Sequence, residues 1–573
     1  MANTTRLHRW FPFLGWPRPD RNTLGNELGA GVTVGLMVIP QGVAYAALAG
    51  MPLVTGIYAS MLPALVAVLW SSSTRLSVGP TALTCLLVAS SLTGLAVPGS
   101  AEWINLAVWL ALLSGLLQVV LGCVRSGWLL NAVSSPVLMG FTQAAAVLIL
   151  ISQIPALLGS RSSWSHMLTQ PDLHIAAAVF GLGSVAALVL AKRFIPRVPA
   201  VVAVVLAASA LSTATGFEAA GGKVVGELAS GLPSLYIPSP LPWPVLSQLV
   251  IPVLVITLVS FLETASSAKV ESQREGQRWN QDQDLIGQGL AKIASGLCGA
   301  FPTSSSFSRS ALNLYAGAKT GWATITSVVV VLLALLFLIP VLHQVPQSVL
   351  AAVVVAAIYG LLKPSSFARV WRVSRVEALT AAVTFAITVL SAPNLYWGVI
   401  TGLLISLSHF LYQRLHPRII EVGLHPDGSL RDRHRWKLPP LAAHLYALRM
   451  DAELDFASAS EFERAIVEHV SGSVPGIEQV CLFAHPINRI DATGVERFSQ
   501  VRHMLASRGI VLHISGIKLP VESVLRQAGE LDEGPLLRTY RTDAEALQAL
   551  LHGAPGHAVT IQPSSRSMPS GNP

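Results

Sequence analysis

Five stretches of this chain run for 35 to 47 residues without a charged side chain: those between Glu27 and Arg75, Arg125 and Arg161, Glu227 and Glu263, Lys319 and Lys363, and Glu377 and Arg414. Each is long enough for one or two apolar spans of about 20 residues. Such runs fit a lipid solvent, where an apolar helix satisfies its own backbone and needs no polar face. Composition agrees: 12% of the 573 residues are charged and 52% hydrophobic, with a mean hydropathy of +0.57, against about 25% charged in an ordinary soluble protein. Disorder, a collagen and a purely soluble enzyme do not fit these values.

The charges are unevenly divided. Residues 1–415 carry 34 of the 68 and residues 416–573 the other 34, so a membrane part precedes a small domain of soluble composition. Cutting at Pro, Gly and polar clusters gives about fourteen spans, at 28–47, 53–70, 81–96, 103–123, 129–157, 174–191, 197–215, 246–269, 284–299, 307–318, 321–340, 346–362, 375–392 and 394–413. Those at 81–96, 284–299 and 307–318 are too short to cross alone. With the N-terminal segment 1–27 in the cytoplasm, 18 of the 22 Lys and Arg before residue 415 fall on the cytoplasmic side, as the positive-inside bias requires. Arg161 and Lys223 fall outside, and Lys292 and Arg309 stay within the membrane region. An even span count puts both termini in the cytoplasm; twelve spans with re-entrant pieces would keep that parity.

Topology therefore explains the net charge of +8, and no basic block with interleaved aromatics points to nucleic acid. Cys85, Cys123, Cys298 and Cys481 lack Cys-x-x-Cys spacing and read as packing residues, with no disulfide framework, metal or other cofactor implied. The first apolar run starts near Gly29 and is too long for the apolar core of a signal peptide. Beyond residue 415, His416 to Pro440 reads as a polar linker. Leu445 to Met450, Gln479 to Phe483 and Val511 to Ile514 read as strands, and Ala457 to Val470 and Thr493 to Arg508 as helices. The Ser, Pro and Gly-rich tail 554–573 is expected to be disordered.

Two short, interrupted segments in corresponding halves are the pattern of a transporter substrate site. One opens Ser77-Val78-Gly79-Pro80-Thr81-Ala82 and the other Phe301-Pro302-Thr303-Ser304-Ser305-Ser306-Phe307-Ser308-Arg309-Ser310. Each starts with Pro and hydroxyl residues, as a half-helix N-terminus does. An ion inside a membrane is costly, which makes Arg309 and Glu263 functional candidates. Arg309 stands just inside its half-helix, where helix-end N–H groups and a guanidinium converge on a place for an anion. Packing against a carboxylate is its plainer reading. Glu263, in Phe261-Leu262-Glu263-Thr264-Ala265, is a candidate for proton coupling or a fixed partner of Arg309 or Lys292. Pro40-Gln41-Gly42-Val43-Ala44-Tyr45 breaks the first span and sets Gln41 and Tyr45 one turn apart; both can donate to an oxyanion, although a membrane Tyr is more often packing. No phosphate loop for nucleotide-driven pumping and no catalytic constellation stands out, so no enzyme activity is expected. Asp491-Ala492-Thr493-Gly494, at a strand-to-helix turn, is either a plain helix cap or a phosphorylatable loop with Thr493 as the regulatory position.

These motifs resemble the SulP sulfate permease family of anion transporters. Pro40 to Ala46 with Ala49-Gly50-Met51-Pro52 and Thr55 to Ser60 is similar to the family's first two spans. Phe301-Pro302 with Phe307 to Ser310, Asn313 and Ala316 to Thr320 is similar to its tenth, and Ile490-Asp491-Ala492-Thr493-Gly494 to the turn of a STAS domain. The resemblance implies an α-helical membrane protein of about 14 spans in a 7+7 inverted repeat, with core and gate domains. It also implies a transporter domain at 28–415, a linker at 416–440 and a C-terminal α/β STAS domain at 441–553. Carried over by motif, Gln41, Tyr45, Thr81, Ala82, Ser308 and Arg309 line the anion site and Glu263 couples protons. A homodimer in the cell (inner) membrane is implied, with a small inorganic anion, sulfate first, and protons as partners. The alternatives are bicarbonate or dicarboxylate transport by sodium symport or exchange, and a membrane-anchored STAS regulator. Two residues depart from the pattern: Lys292 stands where a neutral residue is expected, and either pairs with Glu263 or faces the cytoplasm, and Thr493 is Ser in many STAS domains.

Overall fold

The structure, a computed structural model, describes residues 11–16, 20–160, 173–194, 200–227, 231–276, 278–337, 342–472 and 476–552. Arg6, Arg9, Arg18, Arg161, Arg197 and the tail 554–573 lie outside the described residues. The chain divides into two compact units, residues 1–407 and 408–573.

Each of the fourteen apolar segments contains a helix: α1 (Arg21–Leu48), α2 (Thr55–Trp70), α3 (Ala82–Leu92), α4 (Ala101–Cys123), α5 (Ser135–Leu157), α6 (Ile175–Phe194), α7 (Ala200–Thr215), α8 (Trp243–Glu275), α9 (Gln281–Leu297), α10 (Phe307–Tyr315), α11 (Trp322–Phe337), α12 (Gln347–Tyr359), α13 (Arg375–Leu390) and α14 (Tyr396–Leu415). Among the described residues, α1, α4, α5 and α8 are long and apolar enough to cross a membrane. Polar side chains start the helices. Asp20, Thr81, Ser100 and Asn280 accept a bond from the N–H three residues on, which satisfies one of the donors that a helix start leaves open.

In lipid, apolar side chains give helices no reason to prefer each other over the solvent, so close contact comes from small residues. A Cβ on Gly42 would lie 2.7 Å from the carbonyl oxygen of Gly56, fixing the α1–α2 crossing, and one on Gly115 would lie 2.7 Å from that of Gly289, fixing α4 on α9. Gly140 of α5 meets Ala381 of α13 in the same way. The helices pack mainly as two sets, α1–α4 with α8–α11 and α5–α7 with α12 and α13, and Gly398 and Gly402 of α14 set that helix against Thr388 and Thr384 of α13.

Three buried carboxylates are absorbed by this packing. Glu27 accepts from the N–H groups of Lys319, Thr320 and Ala323 and so ties α1 to the start of α11. Asp284 accepts from the N–H and hydroxyl groups of Ser72 and Ser73, and Glu271 from the backbone N–H groups of Thr74 and Arg75.

The second unit is a six-stranded sheet in the order β4-β3-β5-β6-β7-β8, made of β3 (Ile419–Leu424), β4 (Leu430–Asp432), β5 (Leu445–Met450), β6 (Gln479–Phe483), β7 (Val511–Ser515) and β8 (Leu537–Tyr540). Strands β5 to β8 are parallel, joined by α15 (Ala459–Gly472), α16 (Ala492–Ser507) and α17 (Leu519–Gln527), with α18 (Asp543–His552) last. Here the expected linker at 416–440 is corrected. It carries β3 and β4, and β3 pairs antiparallel with β5, Ile419 opposite Met450. Ile420 and Val422 are buried on the face shared with Cys481 and Phe483. A six-residue strand that carries Glu421 between its two buried aliphatic residues, set among His, Arg and Pro, has too little apolar sequence to stand out; its partner strand supplies the rest of its burial.

Candidate functional site

Two-residue strands β1 (Val78–Gly79) and β2 (Ser304–Ser305) pair antiparallel, Val78 opposite Ser305 and Gly79 opposite Ser304. Immediately after each strand a short helix begins, α3 after β1 and α10 after β2. Because the strands run in opposite directions, the two half-helices leave the bridge on opposite sides with their N-terminal ends towards it. Each such end carries about half a positive charge in unpaired N–H groups. Ser306, at the N-cap of α10, makes no side-chain capping bond.

Arg309 lies in the first turn of α10 and is 1% exposed. Its Nε donates to Ser77 Oγ at 3.1 Å, Nη1 to Gln41 Oε1 at 3.4 Å and Nη2 to the carbonyl oxygen of Pro80 at 3.1 Å. Every one of these acceptors is neutral. Gly79 makes room for the guanidinium: a Cβ there would come within 3.4 Å of Nη2. Among the described residues Arg309 forms no ion pair, so a buried cation faces two positive helix ends with no carboxylate bonded to it. Packing against an acid, the plainer reading of this residue, does not describe it. A buried guanidinium beside helix-end N–H groups is an environment that favours an anion.

Glu263 stands on α8 beside the start of α3. Its Oε2 accepts from Thr81 Oγ at 3.0 Å and from Thr84 Oγ at 3.4 Å. It is bonded to hydroxyls and not to a cation, so it is no fixed partner of Arg309 or Lys292. Thr81 also caps α3 through Thr84 N, which joins the carboxylate directly to the half-helix.

The other expected residues are placed as follows. Gln41 and Tyr45 are both buried, one turn apart on α1; Gln41 is in contact with Arg309, whereas the Tyr45 hydroxyl makes no hydrogen bond among the described residues. Ala82 is the first residue of α3 and buried, while Ser308 is exposed, 3.4 Å from Ser306 by their hydroxyls. Lys292 follows neither expected course: it is fully buried, and Nζ donates to Gln118 Oε1 at 2.8 Å and Ser260 Oγ at 2.5 Å, linking α9 to α4 and α8. In the second unit the cap of α16 is Asp491, whose Oδ1 accepts from Gly494 N at 2.8 Å; Thr493 is exposed in the first turn. A Cβ on Gly494 would lie 2.1 Å from the Leu454 carbonyl oxygen, so the turn requires Gly.

Sequence reasoning missed three partners. Ser77 and Pro80 bind the guanidinium, and Thr84 binds Glu263. Thr84 had a signal, a second hydroxyl three residues after Thr81 and therefore on the same face of α3. Ser77 and the Pro80 carbonyl had none, since only the strand pair brings them to α10.

Residues 24–384 match the profile of the Sulfate permease family and residues 442–546 that of the STAS domain. The chain is 32% identical to the probable sulfate transporter 4.2 of Arabidopsis thaliana, over 91% of this chain and 80% of the relative. It is 30% identical to the probable sulfate transporter MT1781 of Mycobacterium tuberculosis, over 92% and 96%. Its fold is similar to that of murine Solute Carrier 26 family member A9, an anion transporter solved in the inward-facing state, with a TM-score of 0.85 at 20% identity, covering 95% of each chain.

Proposed function

Since the chain belongs to the sulfate permease family and carries a C-terminal STAS domain, we propose that it is a secondary transporter of a small oxyanion, sulfate first, driven into the cell by protons. The observation that carries this reading is the buried Arg309, hydrogen-bonded only to neutral acceptors, at two half-helix starts. Arg309, the N–H groups of α3 and α10, Gln41, Tyr45, Thr81, Ala82 and Ser308 bind the anion. Glu263, bonded to Thr81 and Thr84, takes up the proton.

Transport follows alternating access. The set α1–α4 with α8–α11 holds the site and moves as a core against the gate set α5–α7 with α12–α14, the fourteen helices forming two inverted repeats of seven. The protein works as a homodimer in the cell membrane, N- and C-termini in the cytoplasm, and performs transport without catalysing a covalent step.

Uptake of radiolabelled sulfate into proteoliposomes tests this reading. An inward proton gradient should drive sulfate above its equilibrium level, and a protonophore should remove the accumulation. Accumulation that follows a sodium gradient, or that needs an anion inside to exchange, would overturn the proton coupling. The Thr493 position is read as structural surface. Thr493→Ala should change stability by no more than about 0.5 kcal/mol and leave the uptake rate within about twofold of the original, whereas Asp491→Ala should cost about 1 kcal/mol through the lost cap. Phosphate on Thr493 in cells, together with an altered rate in the alanine variant, would make it a regulatory site instead.

A further inference from the structure

Between Lys363 and Arg375 the chain carries four positive charges, Lys363, Arg369, Arg372 and Arg375, and no carboxylate; Glu377 is the one acid from there to the end of α13. All four cations are exposed, and among the described residues none of them, nor Glu377, forms an ion pair. They have no part in the site around Arg309.

Arg369 and Arg372 belong to a nine-residue helix, Ser365–Val373, none of whose residues is buried. Three residues apart, they share one face, and Phe367, Val370 and Trp371 share the other. Phe367 meets Phe385 of α13 edge to face, ring centres 6.1 Å apart, so the short helix lies along α13, while Trp371 stays 55% exposed. Helix α13 has two faces of its own. Ala378, Ala381, Thr384 and Thr388 are buried, where Gly140, Gly398 and Gly402 of neighbouring helices come close. Leu379, Ala382, Ala386 and Leu390 form an exposed apolar strip that begins beside the cations.

We propose that this surface binds an anionic phospholipid of the surrounding leaflet, its phosphate held by Arg369, Arg372 and Arg375 and its acyl chain laid along the α13 strip. Charge complementarity selects the headgroup, because several unpaired guanidiniums near a bilayer surface attract anionic lipid. Guanidinium also matches phosphate oxygens in pairs. The strip selects a lipid over a free ion, since a free phosphate or sulfate leaves Leu379 and Leu390 uncovered. The bound lipid holds the connection between α12 and α13 at the membrane surface.

The test uses the full-length protein, purified in neutral detergent and offered phosphatidylglycerol and phosphatidylcholine with identical chains, with retained lipid counted by native mass spectrometry. Phosphatidylglycerol should be retained about tenfold or more over phosphatidylcholine. K363Q/R369Q/R372Q/R375Q should lose that preference, and R369K/R372K/R375K should keep most of it. Equal retention of the two lipids, an unchanged preference in the glutamine variant, or displacement by inorganic phosphate at the lipid's own concentration would overturn the proposal. Should the glutamine variant not fold, the original protein is compared at low salt and at about 1 M salt, where charge attraction is screened within a few ångströms. A preference that fades with salt supports the lipid site, and one indifferent to salt removes it.

Discussion

Arg309→Ala should abolish sulfate uptake in protein that still folds. Removing the guanidinium takes away a full positive charge beside the two half-helix starts and three donated bonds, to Ser77, Gln41 and Pro80. Truncating one member of a buried charge pair costs on the order of 2 to 5 kcal/mol, and each 1.4 kcal/mol is about tenfold in affinity, so sulfate binding should weaken by roughly 30-fold or more. Arg309→Lys separates charge from geometry. It keeps the positive charge but offers a point donor where the planar fork reaches three acceptors, so partial binding is expected. Isothermal titration with sulfate, alongside thermal unfolding to confirm a folded protein, measures both. Near-normal affinity in the alanine variant would remove Arg309 from the anion site.

Glu263→Gln should preserve sulfate binding and exchange while eliminating proton-driven accumulation. The carboxylate and an arriving dianion would be like charges near one cation, so a proton on Glu263 should relieve repulsion when the anion is present, and proton and sulfate should bind cooperatively. By that reciprocity each strengthens the binding of the other. Glutamine keeps the shape and can still bond to the hydroxyls of Thr81 and Thr84, but it holds the neutral form permanently. Sulfate counterflow should therefore persist in proteoliposomes where a pH gradient no longer concentrates sulfate. A variant that still accumulates sulfate against its gradient would make Glu263 structural. Attention would then turn to Lys292, whose amine is buried between Gln118 and Ser260.

Much of the molecule is legible without coordinates because lipid imposes a strict rule: backbone must be helical and charge must have a reason. The fourteen apolar segments all contain helices. Arg309 and Glu263 stood out as ions where ions are costly, and the breaks before Thr81 and Phe307 showed where helices start in mid-chain. The rule is silent where contacts are brief or long-range. Strands β1 and β2 have two residues each, below any periodicity, yet they decide that two segments some 225 residues apart meet. Strand β3 was hidden in a polar stretch for a similar reason, since its burial depends on β5. Sequence by itself determined the solvent, the helices and the identity of the two ions. Tertiary structure alone decided which groups answer those ions: Ser77, Gln41 and Pro80 for Arg309 and two threonine hydroxyls for Glu263. A charge announces its cost through its own residue type, whereas its partners are ordinary polar groups that acquire meaning only when packing brings them within bonding distance.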